Sequence, residues 1–452
     1  MLIWEFCIEK GRSAETPKFA SAYRIVLCDR MRISLAHPGV GPFVQQTAQA
    51  LFEAEMLAGY WTTFCDRPEA SWRKPMVRLT RAAGVDLESE LERRAITSVP
   101  MELVRSDPFW EILRAILSKA GADSRVVDAV WERGIIRFDR RVSKLALKHA
   151  DAIYGYEYCA LSSFREAQRR GIARIYEVPA PEHDFVEKLI QQEIDKFPEL
   201  DDDGRRSYFV ERQEERTERR RQEWNLADVI IANSSFTKQS YASAGLDVSK
   251  VRVIPLGAPT VNECGLAGGS DDSKPLRVLW AGTFSIRKGA HYLMRAWRSL
   301  APNEKEAGLQ IVGSVALPQS ILRSLPSSVV VSPPIGRGPL FELYRAADVL
   351  VFPTLCDGFG MVVTEAFSQG LPVITTSRAG AADLVRSGEN GIVIPAADAD
   401  AIAGALDWCI RHRAELRAMR HRAIEAAARW QWHDFRRELI GQVISGLEAA
   451  GT

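Results

Sequence analysis

Alternation limits the fold of this chain most. From Met31 onward, short apolar runs of strand length recur between longer runs of helical periodicity. RISLAH, PGVGP and FVQQTAQALFEAEMLAG read as a strand, a glycine-containing loop and a helix. That helix carries Phe43, Ala50, Leu51, Ala54 and Leu57 near one face. YWTTFC reads as a second short strand, and a long helical region follows to about residue 150. DAIYGY, ARIYEVP, ADVIIANS and KVRVIPLG supply further strands. SSFREAQRRG, stopped at Gly171, and FTKQSYASAG, ended at Gly245, supply helices. Residues 182–224 read as a loop and then a solvated helix, because acids are interspersed with the bases.

The pattern then restarts. PTVNECGLAGGSDDSKP, 259–275, is rich in Gly, Ser, Asp and Pro and reads as a linker. LRVLWAG, LQIVGS, VVVSPP, DVLVFPT and LPVITTS are strands of a second unit. KGAHYLMRAWRSL, LFELYRAA, GMVVTEAFSQG and the region after DADAIAG are its helices. Strands alternating with helices of this length predict parallel sheets covered on both faces. The expected class is α/β, with two Rossmann-like parallel-sheet domains facing across a cleft. The expected division is an extension at 1–30, a first domain at 31–258, the linker, and a second domain at 276–430. A C-terminal helix at 431–452 is expected to pack back toward the first domain. Parallel sheets bind ligands beyond the carboxyl ends of their strands, so the cleft is where chemistry is expected.

Composition narrows the classes. A chain of 452 residues is comfortable for two cores. A formal net charge of +1, from 59 basic and 58 acidic side chains, argues against a general polyanion binder, so no nucleic-acid partner is expected. The seven cysteines are scattered without a CxxC pair, which favours a reducing compartment. The histidines are dispersed without HExxH spacing, so no metal site is expected. No run of 18 apolar residues predicts a membrane span, and the start, interrupted by Glu5 and Glu9, does not read as a signal peptide. There is no GxxxxGK[ST], no GxSxG elbow at a suitable junction, and no complete GxGxxG after a strand.

Four stretches carry the candidate chemistry. CDGFGMVVTEAF, 356–367, places Asp357 beyond a strand end and Glu365 inside the following helix. Gly358 and Gly360, flanking Phe359, let the backbone approach a ligand, and the helix start near Gly360 offers N–H groups to a phosphate. Carboxylates suit sugar and ribose hydroxyls, so acid, phosphate site and acid fit a nucleotide-sugar. The plain alternative is an acid favoured by the helix dipole plus an exposed glutamate. AGTFSIRKG places Arg287 and Lys288 at the first strand–helix junction of the second unit, able to neutralise a leaving diphosphate or to stand as a solvated basic pair. HPGVGP offers Gly39 and Gly41 to a phosphate or acceptor, or forms a tight turn beside a buried His37. Glu157 and His183 follow successive first-domain strands, as cleft residues or as loop polar residues.

With AGTFSIRKG, ELYRAADVLVFPT, DGFGMVVTEAFSQGLPVITT, RAGAADLV and ENGIVIP in this order, the chain resembles the retaining GT-B glycosyltransferases of the glycosyltransferase family 4 group. The resemblance spans about 31–440 and is stronger after residue 225. It implies the GT-B fold and a nucleotide-diphosphate sugar as donor. The family has two acids separated by seven residues; Asp357 and Glu365 match, with Asp where Glu is usual. The first acid is implied to meet donor-sugar hydroxyls and the second the ribose. The Gly358, Phe359 and Gly360 amides are implied to lie near sugar and diphosphate, in the turn that leads to Met361. Lys288 matches the phosphate-binding lysine; a common family arginine five positions earlier is Thr283, beside Gly282, and Arg287 is expected to supply the missing charge. Gly39 and Gly41 match the first-domain glycine loop, His183 stands for the histidine near the reacting sugar, and Glu157 sits near the usual active-site strand end.

The implied reaction is hexosyl transfer to a hydroxyl with retained anomeric configuration, needing no metal or other cofactor. Saccharide and lipid-linked acceptors, in polysaccharide or glycoconjugate synthesis, fit the resemblance. A GT-B nucleotide-sugar epimerase and a non-catalytic GT-B-like scaffold are the alternatives. The expected location is cytoplasmic, with peripheral contact at the inner face of the cell membrane as an extension. FWEILRAILSKA, 109–120, is the candidate membrane-facing helix, with packing on the first domain as its default reading. The sequence assigns no oligomeric state.

Overall fold

The computed structural model describes residues 31–71, 73–82, 87–201, 206–262, 274–318, 321 and 325–451. The extension read at 1–30 and most of the linker read at 259–275 lie outside the described residues.

The first sheet is built from β1 (Ile33–Ala36), β2 (Leu57–Thr62), β3 (Val104–Ser106), β4 (Ala152–Tyr156), β5 (Ala173–Val178), β6 (Val229–Ala232) and β7 (Val251–Val253). Their order is β3-β2-β1-β4-β5-β6-β7, and every neighbour pair is parallel. β1, β4 and β6 are buried at every position, as expected when helices cover both faces.

The second sheet uses β8 (Leu276–Ala281), β10 (Ala307–Val312), β12 (Val329–Ser332), β13 (Val349–Phe352), β14 (Val373–Thr376) and β15 (Gly391–Ile394). Its order is β12-β10-β8-β13-β14-β15, again parallel throughout. A small ribbon pairs β9 (Phe284–Ser285) with β11 (Val315–Ala316). In each sheet the first strand in sequence, β1 or β8, lies inside the sheet, where chain progression changes direction. The loops after these strands therefore open into a crevice.

Two departures from the sequence reading have local causes. Helix Pro42–Glu53 ends earlier than its apolar pattern suggests, and β2 begins at Leu57. Glu55 takes φ +58° and Met56 N–H bonds back to the Leu51 carbonyl, so Met56 and Leu57 enter the core as sheet rather than helix. The region read as helical to residue 150 contains β3, a three-residue edge strand too short to show alternation.

The charged helix Arg206–Leu226 is not a solvated face. Arg216, Thr217, Glu223 and Trp224 are buried. Arg216 pairs with Asp128, Arg219 with Asp139, and Arg220 with Glu157. The Glu223 carboxylate accepts from the backbone N–H groups of Tyr158, Ala160 and Leu161 and from the Tyr176 hydroxyl. Interspersed charge marks an internal network here, because Arg216, Arg219 and Arg220 find their opposites on the adjoining helices and loops.

The two sheets share structure. Helix Trp432–Ala450 packs on helix Pro42–Glu53 and β6 of the first sheet. It delivers Phe435, Leu439, Val443 and Leu447 to the same apolar cluster as Ile33 and Leu35. In the other direction, helix His183–Lys196 and the turn after it send Leu189, Ile194, Phe197 and Leu200 into the second domain's cluster. There Glu193 meets His291 at 3.0 Å and Lys196 donates to the Tyr292 hydroxyl at 2.9 Å.

Candidate functional site

A cleft of about 400 Å³ lies where the carboxyl ends of β8 and β13 meet the first domain. Gly282, Thr283, Arg287, Lys288, Asp357, Phe359, Gly360 and Met361 line it from the second domain. Phe43, Pro179 and Asn233 line it from the first.

The loop after β8 is zipped to the loop after β13. Leu355 N–H and the Thr354 hydroxyl both donate to the Arg287 carbonyl, at 2.9 and 3.2 Å. The Arg287 guanidinium returns a bond to the Cys356 carbonyl at 3.2 Å. These bonds set Lys288 opposite Asp357, and the ammonium makes a direct ion pair with that carboxylate. Lys288 also stands over the Phe352 ring, 5.2 Å from its centre. Burial lowers the Lys288 ammonium to about 7, and the Arg287 guanidinium adds to this. Cys356 acts in the opposite sense.

The Asp357–Gly360 turn is held on its other side by the segment after β14. Asp357 N–H donates to the Arg378 carbonyl, Gly380 N–H to the Asp357 carbonyl, and Ala381 N–H to the Phe359 carbonyl. Gly360, at φ +88°, turns the chain into helix Met361–Ser368. No side chain caps this helix start, which faces the cleft with its N–H groups. Gly358 has a different reason to be glycine: a Cβ there would stand 2.2 Å from the Pro179 carbonyl of the first domain.

The first domain grips the same turn. The Ser234 and Thr237 hydroxyls donate to the Gly358 carbonyl, and the Asn233 side chain donates to the Pro179 carbonyl. Ser234 meanwhile caps helix Ser235–Ser243 through Thr237 N–H. In the sequence ANSSFT reads as a strand end and helix start. The available signal was an N-cap pattern, which does not reveal what else the hydroxyls hold.

Of the remaining candidates, Thr283 lines the cleft, while Glu365, Glu157 and His183 stand around it. Glu365 does not line the cleft; its carboxylate accepts from the Tyr344 hydroxyl at 3.2 Å, and burial raises it while Arg337 and Tyr344 oppose. Thr283 Oγ1 lies 3.2 Å from Ser314 Oγ. Glu157 and His183 do not line the cleft either. Both rest on helix Arg206–Leu226, Glu157 through Arg220 and His183 Nδ1 2.8 Å from Thr217 Oγ1. Burial, with Arg220 and Arg216 nearby, lowers His183 to about 4, so its ring is neutral at neutral pH.

Gly39 and Gly41 line a separate cavity of about 640 Å³ in the first domain, with Arg94, Trp110, Arg114 and Trp131. His37 braces this loop: Gly39 N–H donates to Nδ1 at 2.8 Å, and the ring packs edge-on against Phe43 and Tyr156. Burial lowers His37 to about 4, so it is a neutral acceptor at neutral pH. Among the described residues, no group of three or more His, Cys, Asp or Glu is placed to hold a metal ion.

Comparison with known proteins agrees with this geometry. Residues 275–412 match the family model described as "Glycosyl transferases group 1", so the second domain is related to that family. A D-inositol 3-phosphate glycosyltransferase of Nocardia farcinica is 26% identical over 230 residues, covering 46% of this chain and 50% of that protein. D-inositol 3-phosphate glycosyltransferase 1 of Catenulispora acidiphila is 28% identical over 185 residues, covering 38% and 44%. The chain spans about half the length of the curated relatives it matches. Among solved structures, sucrose-phosphate synthase from Thermosynechococcus elongatus superposes with a TM-score of 0.59 at 20% identity, covering 93% of this chain and 100% of that one. Anabaena HepE in complex with UDP and glucose gives 0.57 at 16% identity, covering 92% and 100%. The fold is GT-B: two Rossmann-like domains with parallel sheets.

Proposed function

We propose that this chain is a retaining glycosyltransferase that moves a hexosyl group from a nucleotide-diphosphate sugar to an acceptor hydroxyl. One observation carries the reading: the half-buried Lys288–Asp357 ion pair and an uncapped helix start line one cleft between two parallel sheets. UDP and glucose, bound in the HepE structure, support the donor class.

In this reading the donor diphosphate lies between Lys288, Arg287 and the N–H groups at Met361. Arriving phosphate charge replaces Asp357 as the counter-ion of Lys288, and Asp357 is released to accept from hexose hydroxyls. Glu365, steadied by Tyr344, takes the ribose hydroxyls. Arg287 supplies the positive charge that Thr283 does not.

The sugar C1–oxygen bond to the diphosphate breaks through an oxocarbenium-like state. The acceptor oxygen bonds C1 on the same face, and its proton passes to the leaving phosphate oxygen. Lys288, Arg287 and the helix start stabilise the charge that grows on that oxygen. Glu157 and His183 belong to the acceptor side and are positioned through helix Arg206–Leu226. The acceptor enters from the cavity beside Gly39 and Gly41 and is a saccharide or a lipid-linked hydroxyl compound in glycoconjugate synthesis.

The test is a panel of nucleotide-sugars assayed for binding and slow hydrolysis, followed by transfer to envelope extracts. Binding of one donor, with nucleotide diphosphate released faster when acceptor is added, is the expected result. No binding to any donor overturns the reading, and reversible sugar isomerisation without acceptor replaces it with an epimerase.

A further inference from the structure

We propose that the helical hairpin Phe109–Lys119 and Ser124–Leu145 docks on an anionic lipid bilayer and holds the first-domain cavity at its surface. The first of these helices turns Phe109, Ile112 and Ile116 to solvent, 62%, 43% and 59% exposed. Their spacing of three and four places them in one stripe. Its other side carries Trp110, Glu111 and Arg114, which line the 640 Å³ cavity. The amphipathic pattern thus has its apolar stripe outward and a polar and aromatic side inward, the reverse of a helix that only completes a core.

The second helix supplies charge. Val126, 48% exposed, opens a face continued by exposed Arg133, Arg137, Arg140 and Lys144 at helical spacing. Arg133, Arg137, Arg140 and Lys144 have no ion-pair partner among the described residues. The acids of that helix point elsewhere: Asp128 and Glu132 to Arg216, and Asp139 to Arg219. Arg141 is engaged by Asp107. The helix is therefore neutralised on its inner side and cationic on its outer side.

Aliphatic and aromatic side chains beside an acid-free basic face match an interfacial surface that inserts shallowly and attracts anionic headgroups. A nucleic acid would use the basic face and leave Phe109, Ile112 and Ile116 without a role. A bilayer uses both. Val130, Trp131, Gly134 and Ile135 of the second helix line the same cavity, so the contact surface is continuous with the proposed acceptor entrance. That role of the cavity rests on the proposed transfer; bilayer binding itself does not.

Co-sedimentation of the full chain with vesicles tests this without donor or acceptor. Vesicles of phosphatidylcholine mixed with phosphatidylglycerol are compared with phosphatidylcholine alone. Stronger binding to the anionic vesicles is expected, weakened by salt at about 0.5 M. Phe109→Ser with Ile112→Ser and Ile116→Ser, and separately Arg133→Glu with Arg137→Glu and Arg140→Glu, are each expected to lower anionic-vesicle binding by about tenfold or more. All six positions are outside the donor cleft, so nucleotide-sugar binding by each variant checks that it is folded. Absence of binding to anionic vesicles, or binding that both folded variants keep, overturns the proposal.

Discussion

The Ser234 hydroxyl of the first domain donates a hydrogen bond to the Gly358 carbonyl of the second, so the turn that carries Asp357 is positioned from across the cleft. Thr237 Oγ1 adds a weaker bond to the same oxygen at 3.2 Å. Ser234→Ala removes both this bond and a helix cap. A loss of about 1–3 kcal/mol in unfolding free energy is expected. Donor KM should rise several-fold with a smaller change in kcat, because the chemical groups remain in place. Denaturant unfolding and steady-state kinetics read the two effects separately.

Gly358→Ala puts a Cβ where the Pro179 carbonyl already lies 2.2 Å away. The domains or the turn must shift, at a cost of about 1–3 kcal/mol. Donor binding is expected to fall at least tenfold by calorimetry. Gly388→Ala is the control: its φ of +85° is also strained, but no atom lies within 4 Å. It should lose about 1 kcal/mol of stability and keep donor affinity.

Asp357→Asn separates the two influences on Lys288. Loss of the carboxylate lowers the Lys288 amine further, from the value of about 7 at which burial and Arg287 hold it in the parent. The charge is present below the pKa and lost above it. Donor affinity of the parent should fall between pH 6 and 8.5, and the fall in the variant should set in at lower pH. Calorimetric titration at the two ends checks this. Lys288→Ala should lower kcat/KM by about 10²–10³ below pH 7, since no ammonium remains to meet the leaving diphosphate.

Glu177 offers a stability test away from the cleft. It is fully buried, accepts from the Tyr154 hydroxyl at 2.6 Å, and is raised by burial from 4.5 to about 7. A carboxyl raised on folding binds its proton more tightly in the native state, so its contribution is complete below about 4.5 and is lost as pH rises to about 7. Glu177→Gln cannot ionise. Its stability relative to the parent should increase by up to about 3 kcal/mol between pH 4.5 and 7.5, read by urea unfolding at each pH.

Much of the second domain was legible because its signals are local. DVLVFPT, CDGFG and MVVTEAF carry strand, turn and helix in one short stretch, and AGTFSIRKG repeats the pattern. The Lys288–Asp357 contact was not legible, since 69 positions separate the two and only sheet order brings them together. The Ser234–Gly358 bond spans 124 positions and depends on how the domains meet. The charged helix Arg206–Leu226 misled because interspersed charge looks the same whether its partners are water or buried acids. Helix Pro42–Glu53 was read too long because Leu57 falls on the helix's apolar face and on the sheet's buried face alike.

The return of helix Trp432–Ala450 to the first sheet bears on how such chains can be recombined. The polypeptide crosses between domains once near residue 262 and again near Gln431, where Gln431 bridges Ala258. A fragment cut at the first crossing alone would leave the first domain without Phe435, Leu439, Val443 and Leu447, and expose the apolar surface they cover. Exchanging the second domain for that of another GT-B protein therefore requires two junctions, with the terminal helix kept from the recipient. A single-crossover chimera joins a foreign helix to this sheet, and its failure would report on that seam rather than on the compatibility of the two domains.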